Sequence, residues 1–277
     1  MINHNEILVD SDSPLFKAGN RAFQYGDQLF ETIRVSKGQL VFWDDHYFRM
    51  MGGACMLRME IPMHFNQDFF EEEIQKTLEA SNLKGANAKV RLNLYRNSGG
   101  LYRPTDRGIS FLIEVFELDS DKFELNKEGL NIDVFTDHSK PNHALSNIKG
   151  LNSIVSVLAG IFAQEHQLDD VLLLNDKGFV AEAISSNVFL VKASTLITPP
   201  ESAACVSGII RKNIIENADR WGYTIEEKDF KSFDLIKADE VFLTNSVKGV
   251  CWVSNYKKKA FTQKVSLDIC AKLNELI

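Results

Sequence analysis

The chain has 277 residues, enough for one large domain or two ordinary ones, each with a real core. A hydrophobic fraction of 44% and a charged fraction of 25% are those of an ordinary soluble globular protein. A net charge of −7 argues against a general binder of nucleic acid or of a membrane surface, since both need a basic face.

In chain order, QLFETIRVSKGQLVFW reads as a hairpin, two β-type runs around the turn signal SKG. DDHYFRMMGGACMLRM follows with N-cap chemistry at its start and apolar residues at helical spacing, despite Gly52-Gly53. FNQDFFEEEIQKTLEAS is a second amphipathic helix, and AKVRLNLYR and GISFLIEVF are strands separated by the loop NSGGLYRPTDR. LDSDKFELNKEG is charged and lacks apolar periodicity, which makes it a linker. After it come the strand LNIDVFT, the helix LNSIVSVLAGIFAQEH and four short strands, DVLLLND, GFVAE, SNVFLVK and TLITPP. The helix GIIRKNIIENADRWG, the strand EVFLTN and a C-terminal helix close the chain. Hairpin spacing outnumbers βαβ spacing, so the expected fold is α+β, two domains with mainly antiparallel sheets. Their expected bounds are 1–118 for a smaller N-terminal domain, 119–129 for the linker and 130–277 for a larger C-terminal domain.

The apolar run IVSVLAGIFA at 154–163 is far short of the ~20 residues of a membrane span. MINHNEILVDSDS lacks the basic start and apolar run of a secretion signal. The four cysteines are scattered, with no CxxC, and read as reduced core thiols of a cytoplasmic protein. The histidines show no paired ligand spacing, and His138 and His143 in HSKPNH read as solvated, so no metal is expected.

Five features carry chemistry. In SNIKGLN, Lys149 lies between apolar Ile148 and Leu151, either as a surface residue whose stem covers them or as a nucleophilic amine in a pocket. AEAISSNVFLV places Glu182 at a strand end before a turn of small residues, where a solvated carboxylate is the plainer alternative. VSGIIRKNII puts Ser207-Gly208 before a helix whose first N–H groups, at Ile209 and Ile210, suit a phosphate, although ordinary capping explains the pattern equally. Arg49 in HYFRM sits mid-helix, facing solvent or an anion. EVFLTNSVKGV sets Thr244, Asn245 and Ser246 at a strand end, where hydroxyls can donate to an oxyanion. A lysine, an anion cup and a carboxylate are together what pyridoxal phosphate asks of a protein.

The order of these segments closely resembles the class IV (fold type IV) pyridoxal-phosphate enzymes, which include branched-chain aminotransferases, D-amino-acid aminotransferases and 4-amino-4-deoxychorismate lyases. NRAFQYGDQLFETIRV is similar to the N-terminal signature of that family, and HYFRM to its phosphate-binding arginine segment. IKGLN, AEAISSNVF, SGIIR and DEVFLTNS resemble its lysine, glutamate, phosphate-helix and final phosphate-side segments. The resemblance implies that Lys149 is the Schiff-base lysine and the catalytic residue, and that Glu182 pairs with the pyridine nitrogen. It further implies that Arg49, the backbone of Ile209 and Ile210, and Ser246 hold the phosphate, while Asn187 supports the turn. A homodimer is implied too, with the loop at 97–107 bordering a pocket. A non-catalytic binding module on this scaffold would leave the intact carboxylate and phosphate positions without a purpose.

The reaction depends on the pocket wall. Where D-amino-acid aminotransferases typically carry a tyrosine, this chain has Phe30, and RNSGGLYRP lacks the histidine of their carboxylate trap. YRNSGGLY looks most like the lyase pattern, and Ser153 follows Asn152 where the branched-chain branch usually has a tyrosine. LYRP, by contrast, resembles a branched-chain loop whose arginine helps recognise a carboxylate. Arg103 could take that role for either substrate class, or be a solvated loop residue. Arg34 faces the pocket or forms a structural ion pair, and Phe30 stands at a domain boundary as a substrate contact or as packing. The expected function is 4-amino-4-deoxychorismate lyase in folate biosynthesis, with a class IV aminotransferase as the alternative.

Overall fold

The computed structural model describes residues 1–277. It divides the chain into two compact units, Met1–Asp121 with Ile148–Asn152, and Lys122–Asn147 with Ser153–Ile277. The architecture is the expected α+β mixture with mostly antiparallel strands.

The first unit is built on six strands, all pairings antiparallel: β1 (Ile2–His4), β2 (Ile7–Val9), β3 (Gln28–Ser36), β4 (Gln39–Leu40), β5 (Ala88–Arg96) and β6 (Ile109–Glu117), in the order β2-β1-β6-β5-β3-β4. The hairpin between β3 and β4 turns on Lys37 at φ 49° and Gly38 at φ 83°. Two left-handed residues in succession match the right-handed twist of the flanking strands. Three helices belong to this unit: α1 (Arg21–Tyr25), α2 (Trp43–Met56) and α3 (Gln67–Ala80). Alternation along β3 and β5 sends Leu29, Ile33, Val35, Val90, Leu92 and Leu94 to one face, where they bury against Met50, Phe70, Ile74 and Leu78. Phe30, Thr32 and Arg34 project from the other face with Lys89, Arg91, Asn93 and Tyr95.

Local chemistry sets the helix ends. Asn66 caps α3 by accepting from the Phe69 N–H at 2.8 Å. The aspartates expected to cap α2 lie inside it instead. Phe42 is the cap residue, at φ 53° and with no side-chain bond, and Asp44 and Asp45 occupy the first turn, where the helix dipole favours them. The Gly52-Gly53 pair also has a packing reason, since a Cβ on Gly53 would stand 3.0 Å from Leu29 Cδ1. Glycine there lets α2 lie close on β3.

Residues 148–152, expected in the C-terminal domain, pack with the first unit. The edge of β3 at Gln28–Phe30 is left open because β4 covers only Val35 and Ser36. The lysine segment fills it: the Phe30 N–H donates to the Lys149 carbonyl at 3.0 Å, the Leu151 N–H to the Gln28 carbonyl at 3.4 Å, and Leu29 faces Gly150 in an antiparallel bridge.

The second unit has nine strands: β7 (Leu130–Lys140), β8 (Asp170–Asn175), β9 (Val180–Ala183), β10 (Asn187–Lys192), β11 (Thr195–Thr198), β12 (Thr224–Glu227), β13 (Glu240–Asn245), β14 (Gly249–Tyr256) and β15 (Lys259–Ala260). Their order is β12-β11-β10-β13-β14-β7-β8-β9, with β15 on β14. Only β11/β12, β14/β7 and β7/β8 pair in parallel. Helices α4 (Ile154–Glu165), α5 (Ile209–Asn217) and α6 (Lys264–Asn274) complete it. The sequence reading missed β14, a central strand whose GVCWVSNY lacks clean alternation, and the short β1, β2, β12 and β15.

Gly249 opens β14 at φ +71°, and a Cβ there would stand 2.5 Å from the Phe123 ring. Gly249→Ala is therefore expected to cost about 1–3 kcal/mol in stability, through strained backbone and overpacking together. Thermal unfolding checks this, and an unchanged midpoint would mean that Phe123 yields freely.

Candidate active site

Lys149 owes its orientation to the edge pairing just described. It stands opposite Phe30 in register, so both side chains leave the sheet on the face turned away from α2 and α3. Its Nζ lies 4.5 Å from the centroid of the Phe30 ring, close enough for attraction between the cation and the ring face. Ile148 packs against the core of this unit.

Under the helix-facing side of β3 lies a group that the sequence reading named only in part. Glu31, 1% exposed, sits among the apolar residues of that face and accepts from Arg49 and His46 on α2. Arg49 Nε donates to Glu31 Oε1 at 2.8 Å, its Nη2 bonds Oε2, and His46 Nδ1 lies 2.7 Å from Oε2. His46 and Arg49 are three residues apart and so share a helix face. Burial pushes the Glu31 carboxyl up, but the Arg49 guanidinium and the His46 hydrogen bond outweigh it and bring it down to about 2. Burial lowers the His46 pKa against the pull of Glu31, and Arg49 and Lys149 add to the lowering. A neutral imidazole donating from Nδ1 satisfies both groups.

The second unit carries the remaining candidates. Glu182 lies one residue before the end of β9, buried, and its two oxygens have different partners: Oε1 pairs with Lys140 at the end of β7, and Oε2 accepts from the Val206 N–H at 2.7 Å. Asn187 Nδ2 donates to the Val206 carbonyl at 2.9 Å, which ties the 206–208 turn to β10. A Cβ on Gly208 would overlap Asn187 Oδ1, so glycine is required where the turn enters α5. Gly208 caps α5 without any side-chain bond, and the buried side chains of Ile209 and Ile210 fix the first turn. At the end of β13, Asn245 accepts from the N–H groups of Val247 and Lys248 and donates to Ser186 Oγ at 3.0 Å, a tight turn that contains Ser246. Thr244 Oγ1 is buried without a hydrogen-bond partner.

The expected substrate residues divide. Arg34 is buried and donates from Nη2 to the Ser120 carbonyl. Arg103 is exposed on the loop between β5 and β6, near Tyr102, which is 90% exposed. That loop is held by Arg21, whose Nη1 donates to the carbonyls of Gly99, Gly100 and Leu101, while its Nε and that of Arg96 both reach Asp27 Oδ2 at 2.9 Å. Glu31, His46, Lys140, Arg21 and Asp27 all escaped the sequence reading. Only Glu31 gave a signal, as a charge at a core-parity position between Leu29 and Ile33.

Glu31 contributes stability above its ordinary value of 4.5, and this is lost as pH falls toward about 2. Glu31→Gln is expected to cost roughly 3 kcal/mol at neutral pH, because Arg49 then keeps a buried charge without its carboxylate. Denaturant titrations at several pH values check it, since the variant should also lose the acid limb between pH 4.5 and 2.

Residues 28–256 match the family described as Amino-transferase class IV. The chain is 31% identical over 238 residues to the aminodeoxychorismate lyase of Vibrio harveyi, covering 85% of each chain. It is 29% identical over 275 residues to a putative branched-chain-amino-acid aminotransferase of Methanocaldococcus jannaschii, covering 98% of this chain and 93% of the other. Among solved structures, the T.th. branched-chain amino acid aminotransferase with pyridoxamine 5'-phosphate superposes with a TM-score of 0.87 at 25% identity, over 99% of this chain and 92% of that one. With its lysine on a sheet edge, its caged glutamate and its open helix start, the chain belongs to the class IV aminotransferase family of pyridoxal-phosphate-dependent enzymes.

Proposed function

We propose that this pyridoxal 5'-phosphate enzyme acts as a 4-amino-4-deoxychorismate lyase, releasing pyruvate and leaving 4-aminobenzoate for folate biosynthesis. The observation that carries the lyase reading is the 31% identity to the Vibrio harveyi lyase across most of both chains. The Arg96-Asn97-Ser98-Gly99-Gly100 run and the missing histidine of the D-amino-acid trap agree with it.

The residues present fit the cofactor. Lys149 offers the amine to which it is joined, and Glu182 a carboxylate for its ring nitrogen. The α5 start at Ile209 and Ile210, with no side chain capping it, and Ser246 with its neighbour Thr244, whose buried hydroxyl has no protein partner, offer donors for a phosphate. Arg49 offers a further cation for a phosphate, its guanidinium braced by Glu31.

When bound, pyridoxal phosphate supplies a protonated ring that accepts the electron pair released at a substrate carbon. The protein's part is to hold and move protons. Glu182 would hold a proton at the ring nitrogen, and Lys140 and the Val206 N–H fix that carboxylate in place. Lys149 Nζ would hold the cofactor and, as a free amine, would take a proton from the substrate carbon and give it back at another atom. Phe30 presents its ring face to Lys149 Nζ at 4.5 Å.

A second reading, amino transfer to a 2-oxo acid, is favoured by the Methanocaldococcus jannaschii relative, which matches over nearly the whole of both chains. We further propose a homodimer: Ile154, Val157, Leu158 and Ile161 on α4 expose a continuous apolar stripe at helical spacing, an area suited to a second copy. Four free cysteines suit a reducing compartment, and we propose the cytoplasm. No helix is long and apolar enough to cross a membrane.

A paired assay tests the function, with formation of 4-aminobenzoate and pyruvate from aminodeoxychorismate measured beside amino transfer from L- and D-amino acids to 2-oxoglutarate. The first product pair is expected, and amino transfer without 4-aminobenzoate would replace the lyase by the second reading. Lys149→Ala should abolish turnover and the visible absorbance of bound cofactor. Near-normal turnover in that variant would remove the lysine from its role.

A further inference from the structure

Two short turns of the second unit stand side by side because their strands do. β10 starts at Asn187 and β13 ends at Asn245, and the antiparallel register pairs Asn187 with Thr244. The turn at 184–186, which enters β10, therefore lies beside the turn at 246–248, which leaves β13. The first begins two residues after Glu182, and the second contains Ser246. The two turns thus adjoin the residues proposed for opposite ends of one cofactor, its ring nitrogen and its phosphate.

Each turn is closed on itself. The Ala183 N–H donates to the Ser186 carbonyl at 2.8 Å, and Asn245 Oδ1 accepts from the N–H groups of Val247 at 3.1 Å and Lys248 at 2.9 Å. The backbone ladder of β10 and β13 stops at Asn187 and Thr244, short of both turns. Beyond it a side-chain bond takes over, from Asn245 Nδ2 to Ser186 Oγ at 3.0 Å. An amide suits this place, because its oxygen closes its own turn while its nitrogen reaches across to the other. The first turn also has an anchor behind it. Asp170 Oδ1, at the start of β8, accepts from the Ile184 N–H at 3.1 Å and from the Val171 N–H at 2.8 Å. Burial pushes the Asp170 carboxyl up to about 6, while these two N–H groups and Lys248, from the second turn, pull it down. Asp170 therefore bonds one turn and attracts a charge on the other.

We infer that the bond between Ser186 and Asn245 is a strap that fixes the spacing between the Glu182 carboxylate and the phosphate donors, so that pyridoxal phosphate meets both together. It rests on the reading of Glu182 and Ser246 as the residues that meet the two ends of the cofactor. Ser186 and Asn245 are positioning residues in this role. A ligand held at two points gains from the second contact only while the points keep the separation that it spans. The strap accordingly acts on the joined ligand and leaves the binding of either end alone unchanged.

The test compares three probes on the full-length chain freed of cofactor: pyridoxal phosphate, pyridoxal, which has the ring without the phosphate, and inorganic phosphate. Affinities are read by visible absorbance for the first two and by titration calorimetry for the third. Ser186→Ala is expected to weaken pyridoxal phosphate roughly fivefold, the usual effect of losing one neutral hydrogen bond. Pyridoxal and inorganic phosphate should bind it as they bind the parent, which a general loss of structure would not allow. Asn245→Ala should weaken pyridoxal phosphate at least as much, and adding Ser186→Ala to it should change nothing further, since one bond cannot be lost twice. Unchanged affinity for pyridoxal phosphate in Ser186→Ala would overturn the strap. So would a parallel loss for pyridoxal or for inorganic phosphate, which would make Ser186 a direct contact. A parent that binds pyridoxal phosphate no more tightly than pyridoxal would instead overturn the reading of Ser246 and its neighbours as phosphate donors.

Discussion

The amide of Phe30 and the carbonyl of Lys149 share one hydrogen bond of 3.0 Å, and the chemistry assigned to this chain depends on it. A lysine in an irregular segment has no inherent direction. Laid along the open end of β3, it inherits the two-residue period of a sheet, and its side chain must leave by the face that Phe30 occupies. A slip of one residue would turn it toward the helices and bring a neighbour into its place.

Two buried carboxylates show how the fold handles charge at such a site. Burying an ion costs several kcal/mol unless a counter-ion and hydrogen bonds accompany it. Glu31 has Arg49 and His46 from one turn of α2, and so helps to orient the Arg49 guanidinium. Glu182 has Lys140 and a backbone N–H, partners that come from separate stretches of the second unit. The first cluster is compact in sequence and the second is not. Each satisfies its carboxylate from more than one direction.

Much of this was legible in the sequence for identifiable reasons. The β3–β4 hairpin declared itself through Lys37-Gly38, α3 through Asn66 and its apolar spacing, and β5 and β6 through clean alternation. The lysine, the glutamate and the glycine before α5 were readable because each stands in a short segment whose order along the chain is distinctive. The unread part was pairing. Nothing in IKGLN says that it will complete the edge of a strand about 120 residues earlier. Lys140 lies 42 positions from Glu182, at the end of a strand expected to stop sooner.

The interrupted make-up of the first unit has a consequence for how the protein comes into being. On the ribosome, residues 1–121 emerge before 148–152 have been made, so the early sheet forms with a bare rim at Gln28–Phe30. Such a rim can pair with any extended strand nearby until its own chain supplies the missing five residues. The lysine segment thus reaches its place on the sheet late in synthesis, and nascent chains halted before that point would be prone to clump.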